Sequence, residues 1–315
     1  MDTFAARVPF SLISNIYPDD RGIESMDLST PNTCLLGCNS GTRPLALTGV
    51  GSQYLQCEAC GLAFVRYQQA ASSLEPQYLE DSSSTVSYYQ ATARADRLTF
   101  RRRLRLMAKF QPARGRLLDV GCSIGTLMSV AREMGWEVEG LEPNPKAANL
   151  ARKQGFPVRE GFFTEERVRE LPGGYQCVVL SDVIEHVSDP VEALRLAREL
   201  LGPRGFLLLS TPNLESFWCK KFQLKPVEHL FLFSSENLRK LLERLGLKIY
   251  HLQRTSRRRD LRELNHSTTE LGRGVKIIIS GLRLFRLDGV AAWLMDHLFR
   301  DELLVIARKR RRAES

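Results

Sequence analysis

From Arg116 onward, short apolar runs alternate with stretches of helical period. The apolar runs predict strands at Arg116–Val120, Glu137–Glu142, Pro157–Glu160, Cys177–Asp182, Gly205–Thr211, Lys248–Leu252 and Glu302–Ala307. The stretches between them predict helices at Thr126–Met134, Pro145–Gln154, Pro190–Leu201 and Ser234–Leu245, the last of which starts at a serine cap. Such alternation is typical of a parallel sheet covered on both faces. The pattern therefore predicts an α/β fold with a seven-stranded sheet and helices on both faces.

The remainder of the chain differs in composition from this α/β core. An Arg-rich helix is predicted from about Ala91 to Phe110, and closely paired cysteines lie ahead of it. The chain is therefore divided into a poorly ordered lead-in at 1–30, a zinc-ribbon-like cysteine module at 31–70, a linker and Arg-rich helix at 71–110, the core at 111–255, a helical insert at 256–300 that forms a lid or dimer face, and a last strand with a basic tail at 301–315.

The first strand of the core runs directly into a glycine loop. Asp119 and Val120 are followed by Gly121-x-x-x-Gly125 and then by a helix. Glycines let the backbone approach a ligand closely, and the free N–H groups at a helix start favour an anionic group. The second strand ends at Glu142, where a carboxylate can bind both hydroxyls of a ribose. Together these features predict a site for an adenosine-type ligand with an anionic group at its other end.

Two other enzyme classes use similar strings. A nicotinamide dehydrogenase needs Gly-x-Gly-x-x-Gly, whereas this loop has Ser123 at the third position and Thr126 at the sixth. A serine hydrolase needs Gly-x-Ser-x-Gly at a strand–turn–helix elbow, which residues 121–125 match. That elbow normally follows several sheet strands, whereas this loop follows the first one. The serine hydrolase therefore stays as the less favoured alternative.

Five ordered segments of the chain resemble the class I S-adenosylmethionine-dependent methyltransferases. They are Leu118–Gly125, Gly140–Pro143, Ser181–Val187, Ser210–Asn213 and Glu228–Ser234. More narrowly, the chain resembles a subgroup with an N-terminal zinc-ribbon-like segment, found among sugar, glycan and natural-product methyltransferases and related to ubiquinone-pathway O-methyltransferases. The resemblance implies a Rossmann-like methyltransferase sheet, S-adenosyl-L-methionine as cofactor, and methyl transfer to an oxygen or carbon of a small polar acceptor such as a sugar, glycan precursor or secondary metabolite.

The resemblance also implies which residues bind the cofactor. In it, Glu142 holds the ribose, and the glycine loop lines the methionine end. Many relatives place an acidic residue after the third strand to hold the adenine amine, but this chain has Gly161 and Phe162 there. We therefore expect the adenine to contact the Phe162 face and backbone groups. The expected cofactor-binding residues are Asp119, Gly121, Cys122, Ser123, Gly125, Glu142, Phe162 and Asp182.

Histidines are the natural candidates for the base that takes a proton from a hydroxyl acceptor near neutral pH. His186 follows the fourth strand beside Glu185 and Asp182, at the sheet edge where ligands of α/β folds bind. It is predicted as a base or as part of a divalent metal site, since a carboxylate and histidine cluster suits such an ion. His229, on the expected acceptor-side loop, is the second candidate. A purely structural role stays open for both.

The cysteine module carries Cys34-x-x-x-Cys38 and Cys57-x-x-Cys60, separated by a stretch within the range of zinc ribbons. Four thiolates close the tetrahedral shell of a zinc ion, so the predicted Zn²⁺ would be structural. The three-residue spacing of the first pair departs from the common two, which leaves four unmetallated thiols as the alternative. The other cysteines, Cys122, Cys177 and Cys219, are interpreted as small apolar core residues.

The net charge of +9 widens the set of partners, because phosphates, nucleic acid and anionic membranes are all acidic. Arg101–Arg103 and Lys309–Arg312 lack the interleaved aromatic residues of a base-stacking surface, so we interpret them as solvated charge. An RNA-modifying enzyme or RNA-binding factor that docks through the cysteine module is thus the disfavoured alternative. No apolar run reaches the ~20 residues needed to span a bilayer. We expect a cytoplasmic protein, with peripheral membrane contact and a homodimer left open.

Overall fold

Strands and helices follow one another along most of the chain in the computed structural model, which describes residues 34, 36–38, 40–45, 54–65, 82–222, 224, 228–257, 281 and 299–310. The strands in these residues are β1 Thr42–Pro44, β2 Tyr54–Cys57, β3 Ala63–Val65, β4 Arg116–Val120, β5 Glu137–Glu142, β6 Val158–Glu160, β7 Tyr175–Ser181, β8 Leu201–Pro212, β9 Phe231–Leu232, β10 Leu247–Thr255 and β11 Glu302–Lys309. The helices are α1 Ser82–Met107, α2 Thr126–Glu133, α3 Pro145–Lys153, α4 Glu165–Arg169, α5 Pro190–Leu200, α6 Phe217–Phe222 and α7 Ser235–Arg244.

Several sequence predictions fall outside the described residues. These are the lead-in at 1–30, the linker at 71–81, most of the insert at 256–300, and the end of the basic tail at 311–315. The division of the chain into six parts therefore stays a prediction. Within the described part of the chain, no helix is both long and apolar enough to cross a membrane.

The larger sheet has seven strands in the order β10-β11-β8-β7-β4-β5-β6. β4 pairs in parallel with both β5 and β7, while β11 pairs antiparallel with β8 and β10. β7 and β8 are almost continuously apolar and buried, as expected of central strands with helices on both faces. The predicted seven-stranded sheet is thus confirmed, and it is parallel except at β11, which runs antiparallel to both of its neighbours.

Helix starts follow local capping chemistry at several places. The side chain of Asn144 accepts hydrogen bonds from the backbone N–H groups of Lys146 and Ala147 at the start of α3. Ser234 caps α7 as the sequence predicts, and Asn237 returns the hydrogen bond in a capping box. These caps end the loops that follow the strands, so the loops at the carboxyl ends of the sheet have defined conformations.

A smaller sheet, in the order β1-β2-β3-β9, joins the cysteine module to the core. β9 belongs to the acceptor-side segment predicted from sequence, and it pairs antiparallel with β3. The carbonyl of Leu230 also accepts a hydrogen bond from the N–H of Val65 at 3.0 Å. The cysteine module therefore packs on the segment that carries His229.

The Arg-rich helix differs from its sequence prediction in length and in the role of its arginines. α1 begins at Ser82, nine positions before the predicted start, because its first turns lack the apolar pattern that marks a helix. On this helix Leu104 and Met107 are buried, whereas Leu98 is 57% exposed. The interpretation of Arg101–Arg103 as solvated charge is wrong for Arg103, whose side chain is 3% exposed and forms an ion pair with the buried Glu302.

Arg103 also donates hydrogen bonds to the hydroxyls of Ser181 and Ser210, both at 2.9 Å. We expect Arg103→Met to lower the free energy of unfolding by about 3–5 kcal/mol, because it removes the buried partner of the Glu302 carboxylate. Arg101→Gln is the matched control, since Arg101 pairs with Glu133 at the surface, where such pairs contribute about 0–1 kcal/mol. Chemical denaturation measures both. Equal losses in the two variants would contradict the anchoring role of Arg103.

Candidate cofactor and acceptor site

A cleft of about 260 Å³ lies at the carboxyl ends of β4, β5 and β7. This is the edge of the sheet at which open α/β folds bind ligands. The Arg-rich helix α1 covers one side of the cleft with Tyr89, Asp96 and Phe100. Seven of the eight expected cofactor-binding residues line the cleft: Asp119, Gly121, Cys122, Ser123, Glu142, Phe162 and Asp182. The eighth, Gly125, caps α2 beside the cleft.

The glycine loop between β4 and α2 requires its glycines for steric reasons. Gly121 has φ +71°, and a Cβ there would lie 2.8 Å from Val183 Cγ2. Gly125 has φ +87°, and a Cβ there would press on Ala151 and Phe156. Left-handed backbone and close approach both favour glycine. The loop is therefore held against the turn after β7 and against α3, which leaves its inner side open to the cleft.

Glu142 and Asp119 place two buried carboxyl groups beneath the loop. The two carboxylate oxygens of Glu142 accept hydrogen bonds from the backbone N–H groups of Ser123 and Asn144, both at 2.8 Å. Burial raises the pKa of Glu142, although these two hydrogen bonds oppose the shift. Burial, followed by repulsion from Glu142, raises the pKa of Asp119 well above its usual range. This part of the cleft suits a ligand with hydroxyl or cationic groups.

Two buried polar atoms in the cleft wall support a polar ligand independently. The Ser123 hydroxyl and the Asn144 amide nitrogen have no hydrogen-bond partner in the described part of the chain. Buried polar groups are normally satisfied, so an orphaned pair that lines a cleft indicates a ligand with donors and acceptors. Phe162 offers an aromatic face in the same cleft. The residues present therefore fit a nucleoside with its ribose at Glu142.

The segment after β7 forms the other end of the cleft. Asp182 adopts φ +57°, which is uncommon for a residue other than glycine, and its carboxylate accepts a hydrogen bond from the Ser210 hydroxyl at 3.3 Å. His186 lies on a turn in this segment and lines the cleft. Its Nδ1 donates to the carbonyl of Glu228 at 2.7 Å. A carbonyl only accepts, so the neutral ring carries its proton on Nδ1 and presents Nε2 as the basic atom.

The other two predicted catalytic residues lie behind His186. Glu185 is 1% exposed and accepts a hydrogen bond from the Thr211 hydroxyl at 3.0 Å. Burial, with repulsion from Asp182, raises the pKa of Glu185 well above its usual range. The ring of His229 packs edge-on against that of His186, with centroids 4.8 Å apart. One ligand atom from each of Glu185, His186 and His229 lies within 4.8 Å of the others, a spacing that a divalent ion could also use.

The four predicted cysteine ligands are brought together beside the smaller sheet, with Cys57 at the end of β2. Their sulfur atoms all lie within 4.8 Å of one another, and the Cys34 and Cys60 sulfurs are 3.4 Å apart. The pKa of Cys57 is lowered to about 6, because hydrogen bonds from the Ser40 hydroxyl and backbone N–H groups outweigh its desolvation. Cys122, Cys177 and Cys219 are buried, as their interpretation as core residues predicts.

Sequence reasoning missed three residues that shape the site. Tyr54 donates a hydrogen bond from its hydroxyl to the carbonyl of His229 at 2.8 Å. Asp96 and Arg257 form an ion pair in the cleft wall, with 2.7 Å between the Arg257 Nε and an Asp96 oxygen. A signal existed for Asp96, which is the single carboxylate in the Arg-rich helix. Arg257 stands in a run of basic residues that carries no such signal.

A family model described as a methyltransferase domain matches residues 89–252, which run from α1 into β10. This is more than half of the chain, so the protein belongs to that family. With the fold and the related proteins described below, the match confirms the resemblance to class I S-adenosylmethionine-dependent methyltransferases.

Two curated relatives are ubiquinone biosynthesis O-methyltransferases. The protein of Xanthomonas axonopodis pv. citri is 33% identical over 113 residues, which are 34% of this chain and 46% of that protein. The protein of Caulobacter sp. is 35% identical over 103 residues, which are 31% of this chain and 41% of that protein. The chain therefore spans less than half the length of these relatives.

Two solved structures share the fold at low sequence identity. A SAM-dependent methyltransferase of Archaeoglobus fulgidus has a TM-score of 0.50 and 21% identity, over 70% of this chain and 99% of that chain. A chain from the complex of the Haloferax volcanii Trm112 methyltransferase activator with a methyltransferase has a TM-score of 0.55 and 14% identity, over 74% and 97%. At these identities the likeness shows the fold alone.

We expect Gly121→Ala to abolish or strongly weaken binding of S-adenosylhomocysteine, because its Cβ would displace Val183 and close the loop on the cleft. Gly173→Ala is the matched control. It has φ +64° but nothing within 4 Å of its Cβ, so it shares only the backbone strain, about 1 kcal/mol. Isothermal titration calorimetry compares the two variants. Equal affinities in both would show that the loop does not contact the ligand.

Proposed function

We propose that this protein transfers a methyl group from S-adenosylmethionine to an oxygen of a small hydroxylated acceptor. The observation that carries the proposal is the position of His186, which lines the cleft with Nδ1 hydrogen-bonded to the Glu228 carbonyl. Its basic atom is then Nε2, which lies 3.9 Å from a Glu185 carboxylate oxygen. His186 follows β7, which is the strand next to β4 and its glycine loop. A base and a cofactor loop at adjacent strand ends are what O-methylation requires.

When bound, S-adenosylmethionine supplies a methyl group on a positively charged sulfur. The chain's own residues supply position and proton transfer. Glu142 would bind the ribose hydroxyls, and the Ser123 hydroxyl and Asn144 amide would gain hydrogen-bond partners that the described residues do not give them. Holding two reactants in the correct geometry can itself contribute about 7–11 kcal/mol toward lowering a barrier. The glycine loop and α1 thus act chiefly by positioning.

His186 takes the hydroxyl proton of the acceptor, while Glu185 and His229 position its ring. Glu185 is fully buried and does not line the cleft, and its raised pKa favours the neutral form. His229 also stands behind His186 rather than in the cleft wall, and packs against the ring edge-on. Of the two histidines, the geometry therefore favours His186 as the base. A divalent ion held by the same three residues is the competing assignment.

The four-cysteine cluster is a structural zinc site in this proposal. Tetrahedral zinc with Zn–S bonds of about 2.3 Å places its sulfur ligands roughly 3.8 Å apart, which is compatible with four sulfur atoms that all lie within 4.8 Å of one another. All four positions are filled by cysteine, so Zn²⁺ here would stabilise the module and leave no open position for chemistry.

The module's place in the fold favours an acceptor-side role over RNA docking. Its strand β3 pairs with β9, and Tyr54 holds the His229 carbonyl. Arg97 and Arg101 are engaged with Glu133, and Arg103 is buried, so these arginines do not form an open basic surface. Co-purified RNA with steep salt dependence would favour the RNA alternative.

The acceptor class is tested with a panel of hydroxylated compounds. The relatives' names concern ubiquinone biosynthesis, which supports a phenolic acceptor, whereas the zinc-ribbon-like module motivates sugar or glycan acceptors. Formation of S-adenosylhomocysteine with phenols, free sugars and nucleotide sugars separates these classes. Product analysis distinguishes O-methylation from C-methylation. C-methylation of a panel compound, with no O-methylated product from any of them, would overturn the proposed reaction.

We expect His186→Gln to lower kcat by about 10²–10⁴-fold, because it removes the base, while S-adenosylhomocysteine affinity stays unchanged. His251→Gln, on β10 outside the cleft, is the control and should retain activity. Steady-state kinetics with an acceptor from the panel measures both. If added divalent ions raise wild-type activity and chelation abolishes it, the three residues bind a metal and His186 is not the base.

We expect the purified protein to contain one zinc ion per chain, measured by metal analysis, and Cys60→Ser to lower both the zinc content and Tm. Cys219→Ala is the control, because Cys219 is buried outside the cluster and should leave the zinc content unchanged. If the wild type contains no zinc, or if Cys60→Ser keeps as much zinc as the wild type, the cluster consists of four unmetallated thiols.

A further inference from the structure

Arg257 brings a positive charge into an otherwise acidic cleft. Among the described residues that line the cleft, it is the one with a permanent positive charge. The same wall carries four carboxyl groups, from Asp96, Asp119, Glu142 and Asp182. Arg presents five N–H donors in a planar fork that matches a carboxylate. A single guanidinium in this cleft can therefore bind a ligand carboxylate in addition to a protein side chain.

The described contacts of Arg257 use only part of that fork. Its Nε donates to one oxygen of Asp96 at 2.7 Å, and the Thr92 hydroxyl donates to the other oxygen at 2.7 Å. Asp96 thereby fixes the orientation of the guanidinium. The nearer terminal nitrogen is 4.0 Å from the Asp182 carboxylate, which is beyond hydrogen-bond distance. Arg257 and Asp182 thus present opposite charges side by side, without a direct hydrogen bond between them.

The order of the strand ends indicates which part of the ligand reaches this pair. Phe162 follows β6, Glu142 ends β5, the glycine loop follows β4, and Asp182 follows β7. These strands are neighbours in that order in the sheet. A nucleoside with its ribose at Glu142 therefore extends across the loop toward Asp182, roughly 10 Å away at two strand spacings. The turn at Val183 touches the loop at Gly121, so no gap separates them.

We propose that Arg257 and Asp182 together bind the amino-acid group of the cofactor, with Arg257 at its carboxylate and Asp182 at its ammonium. This assignment rests on the proposed function. A zwitterionic amino acid carries its two charges a few ångström apart, which matches an ion pair held slightly open. Binding by both residues also selects for a ligand that carries both charges of the amino-acid group. A ligand with only one of these charges would leave either Arg257 or Asp182 without its ligand contact.

The start of α2 is the competing site for the carboxylate. α2 begins after Gly125 without a side-chain cap, and Thr126 and Leu127 line the cleft. Uncapped N–H groups at a helix start attract anions. The two sites differ in their dependence on Arg257, so a substitution there distinguishes them.

The test compares two ligands that differ only at the amino-acid end. S-adenosylhomocysteine carries the zwitterion, whereas 5′-methylthioadenosine keeps the nucleoside and thioether and lacks it. We expect Arg257→Gln to weaken S-adenosylhomocysteine binding by about 10- to 100-fold, the range of charge-assisted hydrogen bonds. Binding of 5′-methylthioadenosine should be unchanged, which also shows that the variant is folded. Calorimetry on the full chain measures both ligands.

Arg254→Gln is the matched control, since Arg254 lies on β10 and pairs with Glu215 away from the cleft. It should alter neither affinity. Asp182→Asn should also weaken S-adenosylhomocysteine selectively. If Arg257→Gln does not fold, Arg257→Lys keeps the charge beside Asp96 but loses the fork, and a smaller selective loss is expected.

Equal weakening of both ligands in Arg257→Gln, or no change in either, would overturn the assignment. In the second case the start of α2 holds the carboxylate. Failure of the cofactor assignment gives a different result, because the wild-type protein would then bind neither adenosyl ligand, whereas C-methylation in the acceptor panel would overturn the proposed reaction and leave these titrations unchanged. The two failures are therefore distinguishable in one set of titrations.

Discussion

The buried ion pair between Arg103 and Glu302 fixes the covering helix of the cleft. Arg103 extends from α1 to Glu302 on β11 and to the hydroxyls of Ser181 and Ser210 at the ends of β7 and β8. Breaking such a pair is costly because each charge has already lost its hydration. α1 is thus held over the carboxyl-terminal parts of β7 and β8 and the start of β11. That placement brings Asp96, two turns earlier on the helix, to the cleft wall where it orients Arg257.

The acceptor side depends on a second shared element, the short segment around β9. Its backbone N–H groups at Leu230 and Phe231 donate to the Glu185 carbonyl, while β3 of the cysteine module pairs with it from the other side. The His229 carbonyl accepts from Tyr54 at the same place. A strand of two residues has little stability of its own, so its position depends on both neighbours. The cysteine module is therefore part of the wall behind His186 rather than a separate appendage.

The sequence predicts the α/β core well, because its strands are apolar runs and its loops carry glycine and capping residues. β4 and β5 have the predicted bounds, and the glycine loop and Glu142 meet in one cleft. The pattern of apolar and polar positions does not reveal contacts between residues that are far apart in the sequence. Arg103 lies 199 positions from Glu302, and Tyr54 lies 175 positions from His229. A basic run looks the same in sequence whether its members are solvated or buried. Only the folded sheet selects which arginine turns inward.

The charge of the cleft bears on cofactor binding and product release together. Burial, followed by repulsion from the neighbouring Glu142, raises the pKa of Asp119. In our proposal, a positively charged ligand offsets that repulsion, so the cleft would favour a sulfonium over a neutral thioether. Methyl transfer removes this charge. The acidic wall would therefore hold the demethylated product less strongly than the cofactor. In our proposal the Arg257 and Asp182 pair contacts neither the sulfur nor the methyl group, so it would bind cofactor and product equally well. Selectivity for the cofactor over its product would then come from the carboxyl groups of Asp119 and Glu142 beneath the glycine loop.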